Sequence, residues 1–99
     1  MIMNIDINSN RYFTIFITDL KEEKHTYDGW LNDLNYNLID EIFNKYEIGE
    51  IYLDGKSNGF WAGKIIESYL KNNNFLYVIR QDPIVFDTYY FKIRRKKEN

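Results

Sequence analysis

The spacing of apolar residues changes along this chain, and the order of the changes is the tightest constraint on its fold. Met3, Ile5 and Ile7 alternate with Asn4, Asp6 and Asn8, the two-residue period of a strand with one buried face. Asn8-Ser9-Asn10-Arg11 is turn chemistry, because Asn bonds its own loop and tolerates left-handed backbone. Phe13, Ile15 and Ile17 then repeat the alternation in a second strand, Tyr12 to Thr18, so the two strands form a hairpin. After the charged tip Lys21-Glu22-Glu23-Lys24, a third strand returns over His25 to Trp30.

The period next lengthens. Leu31, Leu34, Leu38 and Ile42, flanked by Ile39, Phe43 and Tyr46, form a stripe at spacings of three and four, which predicts a helix over Leu31 to Tyr46 capped by Asn32 or Asp33. Ile51-Tyr52-Leu53 is a fourth strand that stops at Asp54-Gly55. Ser57 or Asn58 caps a second helix that buries Trp61, Ala62, Ile65, Ile66, Tyr69 and Leu70 and ends in Asn72-Asn73-Asn74. The unbroken run Phe75 to Ile79 predicts a strand covered on both faces. Beyond Asp82-Pro83, Ile84 to Ile93 is an extra C-terminal strand. The order is three meandering strands followed by α-β-α-β: a mixed α/β domain in which right-handed crossovers lay strands four and five parallel to strand one and helices cover the sheet.

Composition narrows the chemistry. The 99 residues allow one domain and one core, taken as residues 1–93 with a basic tail over 94–99. With no Cys, disulfides, thiolate nucleophiles and cysteine metal sites are excluded, and the single His25, beside a charged tip, is expected at the surface. Ser57 has no nearby base. No apolar run is long enough to span a membrane and no signal-peptide pattern opens the chain, so the expectation is a cytoplasmic protein with no membrane partner. Trp30, Trp61 and most of the nine tyrosines are assigned to the core. Asp54 to Gly59 superficially suggests a phosphate loop but lacks the G-x-x-x-x-G-K-[ST] pattern.

Charge is uneven. The net charge is −2, yet Lys92, Arg94, Arg95, Lys96 and Lys97 cluster in the last eight residues. The first 91 residues hold the other eight basic groups and fourteen of the fifteen acids, a net −6. The basic cluster is the candidate nucleic-acid contact; its alternative is a solvated end. Tyr89, Tyr90 and Phe91 follow one another on a strand, so they cannot all face one core, and they are the candidate interface, including a homodimer made through this late strand.

The order of elements resembles the ribonuclease H-like fold, and within it the RuvC-type Holliday-junction resolvases. Ile5-Asp6-Ile7-Asn8-Ser9-Asn10 is similar to that family's opening strand, with its Asp before a turn and hairpin. Leu31 to Tyr46 is similar to its first helix, and Ile48 to Asp54 to the strand that ends in a second acid. Asn58 to Asn74 resembles the next helix, and Phe75 to Pro83 the fifth strand. The likeness spans residues 3 to about 86. It implies nucleic-acid association and Mg²⁺-dependent phosphodiester cleavage, with Asp6 and Asp54 as catalytic and metal-binding carboxylates converging from neighbouring strands. Such chemistry uses two Mg²⁺ ions about 3.5–4 Å apart, held by hard oxygen ligands. The sequence departs from the family in two respects. Asp54 stands where Glu is usual, and the C-terminal helix with further acids is lacking, leaving only Asp82 and Asp87 as late candidates.

Two functions follow. One is a minimal or degenerate resolvase-type protein that binds DNA or RNA through Lys92 to Lys97 and holds Mg²⁺ with Asp6 and Asp54. The other is a non-catalytic acidic protein-interaction module, such as a phage or mobile-element inhibitor of a nuclease, in which Asp28, Asp33, Asp40, Glu41, Glu47 and Glu50 imitate phosphates.

Overall fold

A computed structural model describes residues 1–19, 21, 24–81 and 88–96. Six strands, β1 (Ile2–Ile7), β2 (Tyr12–Thr18), β3 (Lys24–Trp30), β4 (Glu50–Asp54), β5 (Phe75–Gln81) and β6 (Thr88–Lys96), form one mixed sheet. Two helices, α1 (Tyr36–Lys45) and α2 (Gly59–Asn72), complete the α/β domain. The spatial order is β3-β2-β1-β4-β6-β5. β1, β2 and β3 are an antiparallel meander, and β4 lies parallel to β1.

That order decides where the helices lie. β3 and β4 run in the same direction and are joined by α1; β4 and β5 run in the same direction and are joined by α2. Both connections carry the chain the same way across the sheet. Parallel crossovers are almost always right-handed, and two of one hand and one direction must fall on one face. Accordingly the buried residues of β1, β2, β4 and β6 share a face. Met3, Ile5, Ile7, Phe13, Ile15, Ile17, Ile51, Leu53, Tyr89, Phe91 and Ile93 join Leu34, Ile39, Ile42, Ala62, Ile66, Tyr69 and Leu70 in one core. The helices pack on each other through Tyr69, whose ring lies 4.9 Å from Phe43 and 5.0 Å from Tyr36, and whose hydroxyl donates to Asp40 at 3.0 Å. The opposite face of the sheet has no helix among the described residues.

Several expectations change. The first helix opens as a one-turn 3-10 segment, Leu31–Asp33, and α1 proper is capped by Asn35, whose side chain accepts from Leu38 N–H at 3.1 Å; neither Asn32 nor Asp33 is the cap. α2 follows a 3-10 turn, Lys56–Asn58, with no side-chain cap bond from Asn58. Gly59 and Gly63 share its buried face with Ala62 and Ile66, which turns Trp61 out to solvent; Trp30 is also exposed. Glycine carries no hydrophobic signal, so a stripe read from large residues was rotated towards Trp61. β5 is a border strand, because β6 inserts antiparallel between β4 and β5, and with both helices on one side of the sheet it is not covered on both faces by the described residues. With both edges of β6 paired from Tyr89 to Lys92, an edge-to-edge strand pairing with a second copy is already taken up within the chain there. β6 also continues through Lys96, so Arg94, Arg95 and Lys96 belong to the sheet by their backbone instead of to a tail. Asp82, Pro83, Asp87 and Lys97 lie outside the described residues.

One turn is sterically closed. A Cβ on Gly55 would meet Gly59 Cα at 2.2 Å, whereas one on Gly49 would have nothing within 4 Å. Urea denaturation should therefore show Gly55→Ala destabilised by about 1–3 kcal/mol, the range for forced overpacking, and Gly49→Ala changed by less than about 0.5 kcal/mol. Two tyrosines tie stability to alkaline pH. Burial first, then the Tyr46 hydroxyl, pushes Tyr27 up to about 12. Burial, then Asp40, raises Tyr69. A pKa raised by folding contributes stability that is fully present below the ordinary tyrosine value near 10 and lost as pH climbs through the raised one. Phenolate absorbance during alkaline titration should show these rings ionising last, together with unfolding, and Tyr69→Phe should lessen the alkaline loss.

Candidate functional site on the open sheet face

Residues paired across a sheet point to the same side, so register arranges the open face in rows. One row reads Asp28, Thr14, Asp6, Asp54, Thr88 across β3, β2, β1, β4 and β6. The next reads Thr26, Phe16, Asn4, Tyr52, Tyr90, Arg80, ending on β5. The third reads Lys24, Thr18, Ile2, Glu50, Lys92, Val78. An acidic row thus borders an aromatic row that ends in Arg80 on β5, and Lys92 stands beyond it on β6, opposite Glu50.

Asp6 and Asp54 are direct register partners on adjacent parallel strands, which lie about 4.8 Å apart. Asp6 is exposed, and Asp54 is half-exposed and pairs with Lys56 Nζ at 3.6 Å. Lys56 itself sits in left-handed backbone, φ 52°, immediately after the closed Gly55 turn. Among the described residues no group of three or more His, Asp or Glu side chains is placed to hold a metal ion. The donor chemistry of Asp6 and Asp54 fits one hard cation that keeps most of its water. Two carboxylates are too few to clamp a pair of ions, so the two-ion centre implied by the resemblance does not fit these residues. A single Mg²⁺ held there would neutralise the carboxylates and attract a phosphate oxygen.

The aromatic row is built by hydrogen bonds as well as by stacking. Tyr52 and Tyr90 have ring centroids 4.8 Å apart, and both hydroxyls donate to Glu50 Oε2, at 3.2 and 2.9 Å. Partial burial, then the Glu50 carboxylate, raises both phenols above their ordinary value, so the rings stay neutral. Tyr52 remains 45% exposed and Phe16 40%. On the far side of the acidic row Trp30 packs edge-on against Tyr12 at 5.1 Å.

The other sequence candidates separate. Of the three consecutive aromatics, Tyr89 and Phe91 point into the core and Tyr90 onto the open face, so the interface expectation does not hold for Tyr89 and Phe91. Lys92 lies on the open face and Arg94 is exposed. Arg95 and Lys96 are register partners of Leu76 and Phe75. The proposed phosphate-imitating acids are dispersed. Asp28 and Glu50 lie on the open face, Asp40 and Glu41 on α1, and Glu50 is engaged by two tyrosines. His25 is exposed, with its ring 4.9 Å from Tyr46. Phe16, Tyr52 and Arg80 were not among the sequence candidates. For Tyr52 the signal was present: a residue between buried Ile51 and Leu53 must face the other side.

Comparison with protein-family models, with curated proteins and with solved structures finds no match to this chain.

Like charges directly opposite on neighbouring strands are destabilising by tenths of a kcal/mol to about 1 kcal/mol. Asp6→Asn should therefore raise the stability measured in urea by about that amount. Millimolar Mg²⁺ should stabilise the native protein and leave Asp6→Asn unaffected, with the backbone amide signals of Asp6 and Asp54 moving together in an NMR titration.

Proposed function

We propose that this protein is a minimal ribonuclease H-like, nucleic-acid-associated protein that lays a single strand across the open face of its sheet. The observation that carries the reading is the shared face. Asp6, Asp54, Tyr90 and Lys92, singled out separately along the sequence, stand in three adjacent rows with Tyr52 between them. Neutral aromatic rings on a flat sheet offer stacking surfaces to unpaired bases, which present π-faces that a duplex hides. Lys92 and Arg80 supply positive charge for the backbone phosphates on the side away from Asp6 and Asp54, and Arg94 is exposed further along β6. A Mg²⁺ ion shared by Asp6 and Asp54 would let a phosphate approach the acidic row, which would otherwise repel it.

The ancestry rests on the β3-β2-β1-β4 order and on the opposed acids Asp6, next to the end of β1, and Asp54, which ends β4. The family's further acidic helix has no counterpart among the described residues, so association, and not turnover, is the function proposed.

Fluorescence anisotropy with short labelled oligonucleotides tests this. Single strands should bind more tightly than the duplex of the same sequence. Tyr52→Ala and Tyr90→Ala should each weaken binding roughly 5- to 150-fold, the equivalent of about 1–3 kcal/mol for a stacked base. Lys92→Ala should flatten the plot of log affinity against log salt by about 0.7, the slope per phosphate of a single strand. Binding that ignores both tyrosines, or the absence of binding at low salt with Mg²⁺, rejects the proposal.

A further inference from the structure

β5 borders the sheet, and among the described residues no strand pairs with its outer side. The two borders differ. β3 carries Lys24, Asp28 and Gly29, the charges and weak strand former that discourage pairing. β5 runs Phe-Leu-Tyr-Val-Ile-Arg-Gln, with Arg80 its one charged residue, and leaves Val78 and Ile79 exposed at 39% and 38%. The irregularity between β5 and β6 does not blunt this edge. Tyr77 pairs with Ile93 and Leu76 with Arg95, so the extra residue lies in β6.

We propose that β5 pairs antiparallel with β5 of a second copy, about a two-fold axis at Val78, joining two six-stranded sheets into one. A strand edge presents alternating N–H and C=O groups, and only another extended strand satisfies them along its length. The strand that fits is its own copy, for three reasons. An axis at Val78 pairs the whole of Leu76–Arg80 with the same five residues of the copy. It sets Val78 against Val78 of the copy and Tyr77 against Ile79 of the copy, apolar on apolar on both faces. It also places Arg80 opposite Leu76 of the copy, four positions from the copy's Arg80. Four residues of strand span about 13 Å, beyond the screening length of about 8–10 Å near physiological salt, so the charges do not oppose assembly. The isologous pairing is closed and stops at two chains.

Such a dimer requires no ligand, so it stands independently of the nucleic-acid reading. It also has a consequence for the open face. The axis runs perpendicular to the sheet, so both open faces lie on the same side, and Lys92 of each copy flanks the central pair of Val78 side chains.

Sedimentation equilibrium of the full chain without nucleic acid should give twice the 12.1 kDa chain mass. Val78→Lys, which sets like charges face to face at the axis, should give the single-chain mass with an unchanged far-UV spectrum, whereas Val78→Thr should remain dimeric. The chain has no cysteine, so Val78→Cys supplies a single thiol. Register partners at the axis would have Cα atoms about 4.5–5.5 Å apart, within disulfide range. Mild oxidation should therefore convert Val78→Cys to covalent dimer, while the exposed Lys64→Cys on α2 should stay monomeric. A wild-type chain that is monomeric at every concentration, or a Val78→Cys that crosslinks no faster than Lys64→Cys, overturns the proposal. A Val78→Lys that remains folded and dimeric does so too, by placing the dimer contact elsewhere.

Discussion

The hand of the two crossovers governs this molecule. α1 and α2 each return the chain to the start of a parallel strand, and both do so while advancing from β3 towards β5. Handedness then leaves one face for both helices. Chains that cover both faces of a sheet reverse their direction of advance, and this one does not. The hydrophobic core therefore lies on one side, and every strand that borders it must alternate. The same alternation that buries Met3, Ile5 and Ile7 exposes Asn4 and Asp6, and the same one that buries Ile51 and Leu53 exposes Tyr52 and Asp54. The open face is thus a by-product of the core's connectivity.

Much of this is legible in the sequence. The alternations in Met3 to Ile7 and Tyr12 to Thr18 specified the hairpin, and two βα crossings predicted that β4 runs parallel to β1. The neighbourhood of Asp6 and Asp54 was implied by the resemblance to the ribonuclease H-like fold and not by any local pattern, and the register pairs the two. Local chemistry was read well in kind and less well in position. Asn8 holds the first turn with its side chain, accepting from Asn10 and Tyr12 N–H at 2.9 and 3.1 Å, yet the residue in left-handed backbone is Arg11, φ 63°. What stayed hidden was the position of a strand within the sheet. Phe75 to Ile79 has the apolar composition of a central strand, but its place at the border is decided by β6, whose partners are distant in sequence. Burial of a strand depends on who arrives beside it, and no local pattern records that.

The acid pair shows a similar mixture. Two carboxylates in direct register on adjacent strands oppose folding, and the chain nevertheless holds them in a well-defined place. Asp54 is followed at once by a turn so tight that Gly55 and Gly59 approach without room for a side chain. Lys56 occupies left-handed backbone there, a conformation that costs an L-residue about 1–2 kcal/mol, and its ammonium pairs with Asp54. Asp-Gly in the sequence announced a turn. It did not announce that the turn would clamp the carboxylate's own strand end, because the clamp requires Gly59, the first residue of α2.

The insertion of β6 has a consequence for how the domain comes into being. α2 carries the chain from β4 to β5 over a gap the width of one strand, and that gap is filled by β6, which follows β5 in the chain. On a ribosome, β1 to β4 can assemble early, but β5 has no partner until Thr88 to Lys96 emerges and slides between it and β4. Until then two unpaired edges face each other across an opening lined with apolar side chains. Thr88 to Lys96 acts as a keystone, and the nascent molecule is most vulnerable to wrong pairings just before that strand is set.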